Sequence, residues 1–183
     1  YTELFDWAAG GAPAPDLANV PRFRPFMLAH PLEEGEVDLA DYAAEWKWDG
    51  IRVQLVRAGG ETRVYSRSGD DISASFPELL TVLPMDAVLD GELLVRGSAQ
   101  GGEAGGAASF NALQQRLGRK TVSGKMLKEA PAFVRLYDVL LLDGTDWREQ
   151  SWKSRRATLE GLMERLPASH FDLSQLVEAE DFA

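Results

Sequence analysis

Apolar and polar residues alternate with a period of two over residues 50–57 and again over 61–67, which predicts two half-buried strands. Ala58-Gly59-Gly60 between them reads as the glycine loop of a hairpin. A further alternating run at 88–95 places Asp90 and Glu92 on one face of a strand and Leu89, Leu93 and Val95 on the other. Residues 133–142 are almost continuously apolar and end at an Asp143-Gly144 turn, as a buried strand would. A last strand is expected at 171–177.

Helical spacing appears in three places. Residues 75–83 read as a short helix with Ser75 as cap and Pro77 in the first turn. Ser109 caps a second, carrying Phe110, Leu113 and Leu117 and closed by Gly118. Ser151 opens a third, whose Leu159, Leu162, Met163 and Leu166 form an apolar stripe that belongs to the core. Strand pairs joined by glycine turns and interrupted by helices predict an α+β fold. Two segments stand apart. Gly10–Pro25 is rich in proline and glycine, so residues 1–25 read as a lead-in from a preceding domain that ends laid against the body formed by 26–183. Residues 97–108 (GSAQGGEAGGAA) carry no bulky side chain and are expected to be mobile.

Composition narrows the chemistry. The chain has 183 residues, 45% of them hydrophobic, enough for one sizeable core. It has no cysteine, which excludes disulfides, thiolate zinc sites and thiol nucleophiles. His30 and His170 are its two histidines, too few for a histidine-based metal cluster or triad. No apolar run approaches a membrane span and no signal peptide is visible, so a cytoplasmic location is expected. A net charge of −10 argues against nucleic acid binding over the whole surface. Arg116, Arg119, Lys120, Lys125 and Lys128 are the local exception, readable as a phosphate-binding patch or as a solvated helix face.

One lysine stands out against this background. Lys47 sits in Lys47-Trp48-Asp49-Gly50-Ile51-Arg52, after the apolar Ala43, Ala44 and Trp46. A lysine amine is nucleophilic only when deprotonated, so it needs neighbours that disfavour its charged form. The apolar approach is one such influence. An Asp49-Gly50 turn opening a hairpin would return Arg52 to the same pocket, a second one. Asp49 itself reads as a turn former and Trp48 as packing.

Residues 46–52 resemble the nucleotidyl-accepting motif of ATP-dependent DNA ligases and of the related RNA ligases and capping enzymes. Further segments resemble that family in the same order: Ser66-Arg67-Ser68-Gly69, then Leu89-Asp90-Gly91-Glu92-Leu93, then Leu136-Tyr137-Asp138-Val139-Leu140 with Asp143-Gly144. Residues 21–30 and 110–120 resemble bacterial ATP-dependent DNA ligases in particular. The resemblance covers about residues 21–178 and implies an adenylation domain at 26–183, with antiparallel sheets flanked by helices. It implies covalent attachment of AMP to Lys47, then AMP transfer to a 5′-phosphate of nicked duplex DNA in repair, recombination or replication. It further implies roles in nucleotide binding for Glu45, Trp46, Arg52, Arg67, Glu92 and Tyr137. Glu45 would read the adenine amine, Tyr137 would stack on the purine, and Glu92 would hold the ribose or a magnesium (or manganese) ion.

The family's fourth and fifth motifs, the latter with phosphate-binding lysines, do not occur after Val177, and neither does the oligonucleotide-binding barrel. The chain therefore reads as an adenylation domain cut short, a monomer normally joined to that barrel and to a DNA-binding domain, and feeble in nick sealing alone. Rival readings are an RNA ligase or capping-type nucleotidyltransferase, and a non-catalytic module that binds nucleotide or DNA ends.

Overall fold

The alternating run after Gly50 becomes β2 (Ile51–Ala58), which turns into β3 (Glu61–Ser66). Gly59 and Gly60 take φ values of +57° and +84° in that turn, open to glycine at little cost. The structure is a computed structural model and describes residues 2–11, 13, 19–31, 38, 41–96, 110–119 and 121–178.

β4 (Ala87–Val95) pairs with the other edge of β2, and the eleven-residue β5 (Ala132–Leu142) pairs with β4. All of these pairings are antiparallel. Along the far edge of β5 lie β6 (Thr145–Asp146), antiparallel, and β7 (Phe171–Leu173), parallel. A separate two-stranded sheet joins β1 (Ala44–Glu45) to β8 (Leu176–Val177). The fold is α+β, as the strand and helix pattern predicts.

The two faces of the main sheet differ. One carries Val53, Leu55, Leu89, Leu93, Val134 and Leu136, all fully buried. It packs against Leu159 and Leu162 of helix α4 (Trp152–Met163), and against Phe76, Leu79 and Leu113. Burying each such side chain stabilises the fold by roughly 1.5–3 kcal/mol. On the other face, Arg52, Gln54, Asp90 and Glu92 stand on neighbouring strands in register, Arg52 opposite Glu92 and Gln54 opposite Asp90. The segment from Pro21 to Met27 covers part of this polar face. Buried Gln54 holds it by accepting from the Arg24 amide (2.8 Å) and donating to the Arg24 carbonyl (2.9 Å). The Tyr65 hydroxyl donates to the Pro21 carbonyl (2.8 Å).

Several sequence expectations need correction. No α-helix forms at 75–83; two 3₁₀ turns, Ser73–Ser75 and Pro77–Leu79, stand there instead. Phe76, which precedes a proline, is held at φ −137° and ψ 56°, out of the helical region, so a helix cannot run through it. The strand at 171–177 divides at Ser174-Gln175 into β7 and β8, which join different sheets. Asp49-Gly50 is a bend and closes no hairpin, because β1 pairs with β8 and not with β2. Arg116 belongs to neither reading of the basic run, since it is fully buried.

Two further helices complete the described chain beside the N-terminal α1 (Thr2–Ala8). α2 (Phe110–Gln114) is shorter than its sequence spacing suggests, with Leu117 beyond its end and Gly118 at φ +74°. α3 (Gly124–Glu129), capped by the Ser123 hydroxyl on the Met126 amide, has no counterpart in the sequence reading. Residues 97–108, Ser109, Lys120 and residues 12 and 14–18 of the proline-rich stretch lie outside the described residues. No helix among the described residues is long and apolar enough to cross a membrane.

Candidate active site

Lys47 stands at the rim of an open cleft of about 530 Å³ on the polar face of the main sheet. Trp46, Lys47, Trp48, Asp49, Gly50, Ile51, Arg52, Arg67, Glu92 and Tyr137 line it. Six of the seven sequence-predicted site residues thus converge on one cavity. The seventh, Glu45, lines an adjoining cleft of about 280 Å³ with Met27, Ala29, Asp90, Asp138 and Trp152. Trp46, Arg52 and Tyr137 border both clefts. The two cavities thus share an arginine and two aromatic residues.

The lysine is exposed, and so is Trp46, with 63% of its surface open. The apolar approach therefore does not desolvate Lys47 in the free chain, contrary to the sequence expectation. Its setting is electrostatic, with Arg52 and Arg67 lining the same cleft.

Gly50 has a packing reason to be glycine. A Cβ there would stand 2.5 Å from the Leu93 carbonyl and 2.8 Å from Glu92 Cγ, closer than atoms tolerate. Its bare amide instead donates to Glu92 Oε1 (3.1 Å). The loop that carries Lys47 is thereby seated directly on β4. Burial pushes the Glu92 carboxyl up to about 7, against the Gly50 amide and Arg52, which favour its charge. Two carboxylates, Asp49 and Glu92, line this cleft, and magnesium commonly takes one or two together with phosphate oxygens. Glu92 fits that role, with Oε2 unpartnered among the described residues. No group of three or more potential metal ligands gathers among those residues.

Arg52 is already engaged. Its Nε and Nη2 reach the two Asp90 oxygens at 3.2 and 2.6 Å, and Nη2 also donates to the Met27 carbonyl at 2.9 Å. The guanidinium lies 4.4 Å over the Phe26 ring and 5.7 Å from that of Tyr137. Nη1 is left for a ligand, so Arg52 offers one arm and not a two-pronged fork. Burial works against its charge, yet the Asp90 hydrogen bond and carboxylate hold its pKa above the ordinary value. Burial pushes Asp90 in turn up to about 6 in spite of Arg52. Tyr137, half-buried between these groups, has its phenol pKa raised by burial and by the Asp90 charge, and presents its ring to both clefts.

Sequence reasoning missed the supports of this site. Arg155 Nε and Nη2 grip Asp138, the residue after Tyr137, at 2.7 and 3.0 Å. Arg156 Nη1 donates to the Ser174 carbonyl at 2.8 Å. Arg135 stacks 3.9 Å over the Trp48 ring, so Trp48 is packed against a cation and not merely against the core. Two adjacent arginines inside an apolar-striped helix were the legible signal, because a helix puts side chains 155 and 156 on its inner flank beside Leu159.

Residues 26–182 match the family model described as ATP dependent DNA ligase domain. A probable DNA ligase of Koribacter versatilis is 37% identical over 143 residues, which are 75% of this chain and 24% of that protein. A probable DNA ligase of Opitutus terrae is 39% identical over 147 residues, 77% of this chain and 14% of its own length. The solved structure of mycobacterial DNA ligase D complexed with ATP and MES is similar at TM-score 0.56 and 29% identity, over 75% of this chain and 40% of that one. This chain spans about a quarter or less of those two bacterial proteins.

Proposed function

The chain belongs to the ATP-dependent DNA ligase domain family, and from that premise we propose that it accepts AMP covalently on Lys47 for transfer to a DNA 5′-phosphate. The observation that carries this reading is the convergence of Lys47, Arg67, Glu92, Arg52 and Tyr137 on one cleft. In the first step the deprotonated Lys47 Nζ forms a bond to the α-phosphorus of ATP. The bond from that phosphorus to the bridging oxygen breaks, and pyrophosphate leaves. A 5′-phosphate oxygen at a nick then displaces the lysine, and the neighbouring 3′-hydroxyl displaces AMP.

Arg67 and the free arm of Arg52 would offset charge on the phosphate oxygens, which is where rate acceleration by positioning arises. Glu92 would hold Mg²⁺ (or Mn²⁺), which supplies charge neutralisation at the phosphates. Tyr137 would stack on the purine. Glu45, whose carboxyl lines the adjoining cleft, would take a hydrogen bond from the adenine amine. Guanine would present its carbonyl oxygen there, leaving two acceptors opposed at a cost of about 1–3 kcal/mol. We assign the domain to a cytoplasmic ligase of DNA repair, recombination or replication; the two bacterial relatives are named DNA ligases, which favours DNA over RNA as the substrate.

Replacing Lys47 with alanine tests the core of the proposal. Label from α-labelled ATP should vanish while the melting temperature stays within a degree or two, because the side chain is exposed. Labelling that survives Lys47→Ala would overturn it.

A further inference from the structure

The Arg52 guanidinium has a floor as well as a fork. Asp90 and the Met27 carbonyl take its Nε and Nη2. Those hydrogen bonds act along the N–H directions, in the guanidinium plane, so they fix where its edges point more firmly than how the plane tilts. The Phe26 ring lies against one face of that plane, 4.4 Å from Cζ. Phe26 is itself half-buried and held edge-on by Phe23, with ring centres 5.3 Å apart and planes at 71°. Phe23 meets Tyr65 of β3 edge-on in turn, at 6.0 Å and 62°. It also lies so close to Gly69 that a Cβ there would stand 3.2 Å from Phe23 Cδ1. The Gly69 amide donates to the Ser66 carbonyl (2.9 Å), closing the turn that presents Arg67. Backbone bonds hold the segment on both sides of Phe23, at Pro21 to the Tyr65 hydroxyl and at Arg24 to Gln54.

We propose that Phe26 is a positioning residue for the attachment of AMP, acting through Arg52: its ring fixes the tilt of the guanidinium and so aims the one free arm, Nη1, at the phosphates in the cleft. This rests on the reading of Arg52 as a phosphate ligand. Arg52 keeps 22% of its side chain open, so an arm without an acceptor can otherwise swing towards water. An aromatic face suits the task, because a guanidinium is flat, weakly hydrated and attracted to the ring. A leucine in the same place would fill space without that attraction. The ring is also uncharged, so it holds Arg52 without neutralising the positive charge that the phosphates are to meet, as a second carboxylate would. The floor comes from outside the strands that carry the other site residues. Phe26 belongs to the segment laid across the polar face, and the next residues of that segment, Met27 and Ala29, line the adjoining cleft.

The test is single-turnover labelling by α-labelled ATP over a range of ATP concentrations, in the unaltered chain and in Phe26→Leu, Phe26→Tyr, Arg52→Ala and the Phe26→Leu/Arg52→Ala double variant. Phe26→Leu should lower the maximal labelling rate by about threefold to thirtyfold, the worth of one cation–ring contact. The ATP concentration giving half that rate should move by less than about threefold, as when an interaction made in the transition state is lost. Phe26→Tyr, which keeps the ring, should restore most of the rate. In the Arg52→Ala background, Phe26→Leu should cost nothing further, because the group it positions is gone. Phe26→Met, apolar and ringless, takes the place of the leucine variant if that does not fold. An unchanged maximal rate in the folded ringless variant overturns the proposal. So does a rise in half-saturating ATP alone, which would mark a loosened wall of the adjoining cleft, and so does an undiminished loss without Arg52. No label on the unaltered chain would instead remove the reading of Lys47 as AMP acceptor, and this inference with it.

Discussion

Two arginines of this chain grip carboxylates in much the same way, and only one of them serves a cleft. Arg116 is completely enclosed. It donates to both Glu78 oxygens (2.5 and 2.7 Å) and to the Ala130 and Ser75 carbonyls (3.0 and 2.9 Å), with its guanidinium 4.7 Å from the Phe76 ring. Arg52 shares its Asp90 fork with one carbonyl, keeps 22% of its side chain open and has an arm without a partner among the described residues. Its carboxylate is the more buried partner, at 1%, whereas Glu78 keeps 15% exposed. A guanidinium offers five N–H donors in a fixed plane. Where protein acceptors take nearly all of them, the arginine is a fastener joining the turns around Ser75 to the segment around Ala130. Where one arm remains over a cavity, it is available to a ligand.

The largest effect should come from breaking the enclosed pair. Arg116→Ala would leave Glu78 and two carbonyls without their donor, and removing one partner of a buried pair typically costs about 3–5 kcal/mol. Denaturant unfolding should show that loss, while AMP binding per folded molecule stays unchanged. A large fall in nucleotide affinity at constant stability would erase the distinction between the two arginines.

The basic run that contains Arg116 shows where the sequence was legible and where it was not. Period-two alternation located β2, β3 and β4 within a residue or so, and the Ser151 cap and leucine stripe located α4. Those signals are local, because they depend on which face of an element meets the core. The site residues 46, 47, 52, 67, 92 and 137 were readable from motifs whose order in the chain survives folding, and they do line one cleft. What could not be read depends on pairing across the chain. Nothing near Arg116 announces Glu78, thirty-eight residues away. Nothing near Trp48 announces Ser174, whose hydroxyl accepts the Trp48 indole N–H across a separation of 126. The split of the last strand is of the same kind, since β8 is defined only by finding β1. The short helix expected at 75–83 fails for a local reason instead: Pro77 suits a first helical turn, but it also drives Phe76 before it out of the helical region.

Breaking the second pair should cost less and depend on pH. Arg52→Ala strands Asp90, but that carboxyl already titrates near 6 in the folded chain, above its ordinary 3.8, so it can take up a proton. A folded-state pKa above the unfolded one means that the native chain binds the proton more tightly. Stability then falls as pH rises from about 3.8 to 6, and losing Arg52 extends that fall to higher pH. We expect a loss of about 1–3 kcal/mol at pH 8, shrinking towards pH 5. AMP labelling at saturating ATP should fall by about 10²–10³, as when one charge-stabilising donor is removed from an active site. An equal stability loss at both pH values would show that Asp90 does not relax by protonation. Labelling at the unaltered rate would show that the free arm of Arg52 touches no phosphate.

The exposed counterpart of these pairs supplies the smallest effect. Arg148 grips Asp146 through Nε (3.0 Å) and Nη2 (2.6 Å), as closely as Arg52 grips Asp90, but with 30% and 41% of the two side chains open to water. The Arg148 hydrogen bond holds the Asp146 carboxyl down to about 2, below its ordinary 3.8. The sign is therefore opposite to that of Asp90: the contribution is present above pH 3.8 and is lost as pH falls through 2. Solvent screening keeps such pairs within about 0–1 kcal/mol whatever their geometry. Asp146→Asn should accordingly shift the unfolding free energy at pH 7 by less than about 1 kcal/mol, with the difference fading in high salt and below pH 2. If Asp146→Asn instead cost as much as Arg116→Ala, geometry and not burial would be what separates these three arginines, and the assignment of Arg52 to the cleft would lose its basis.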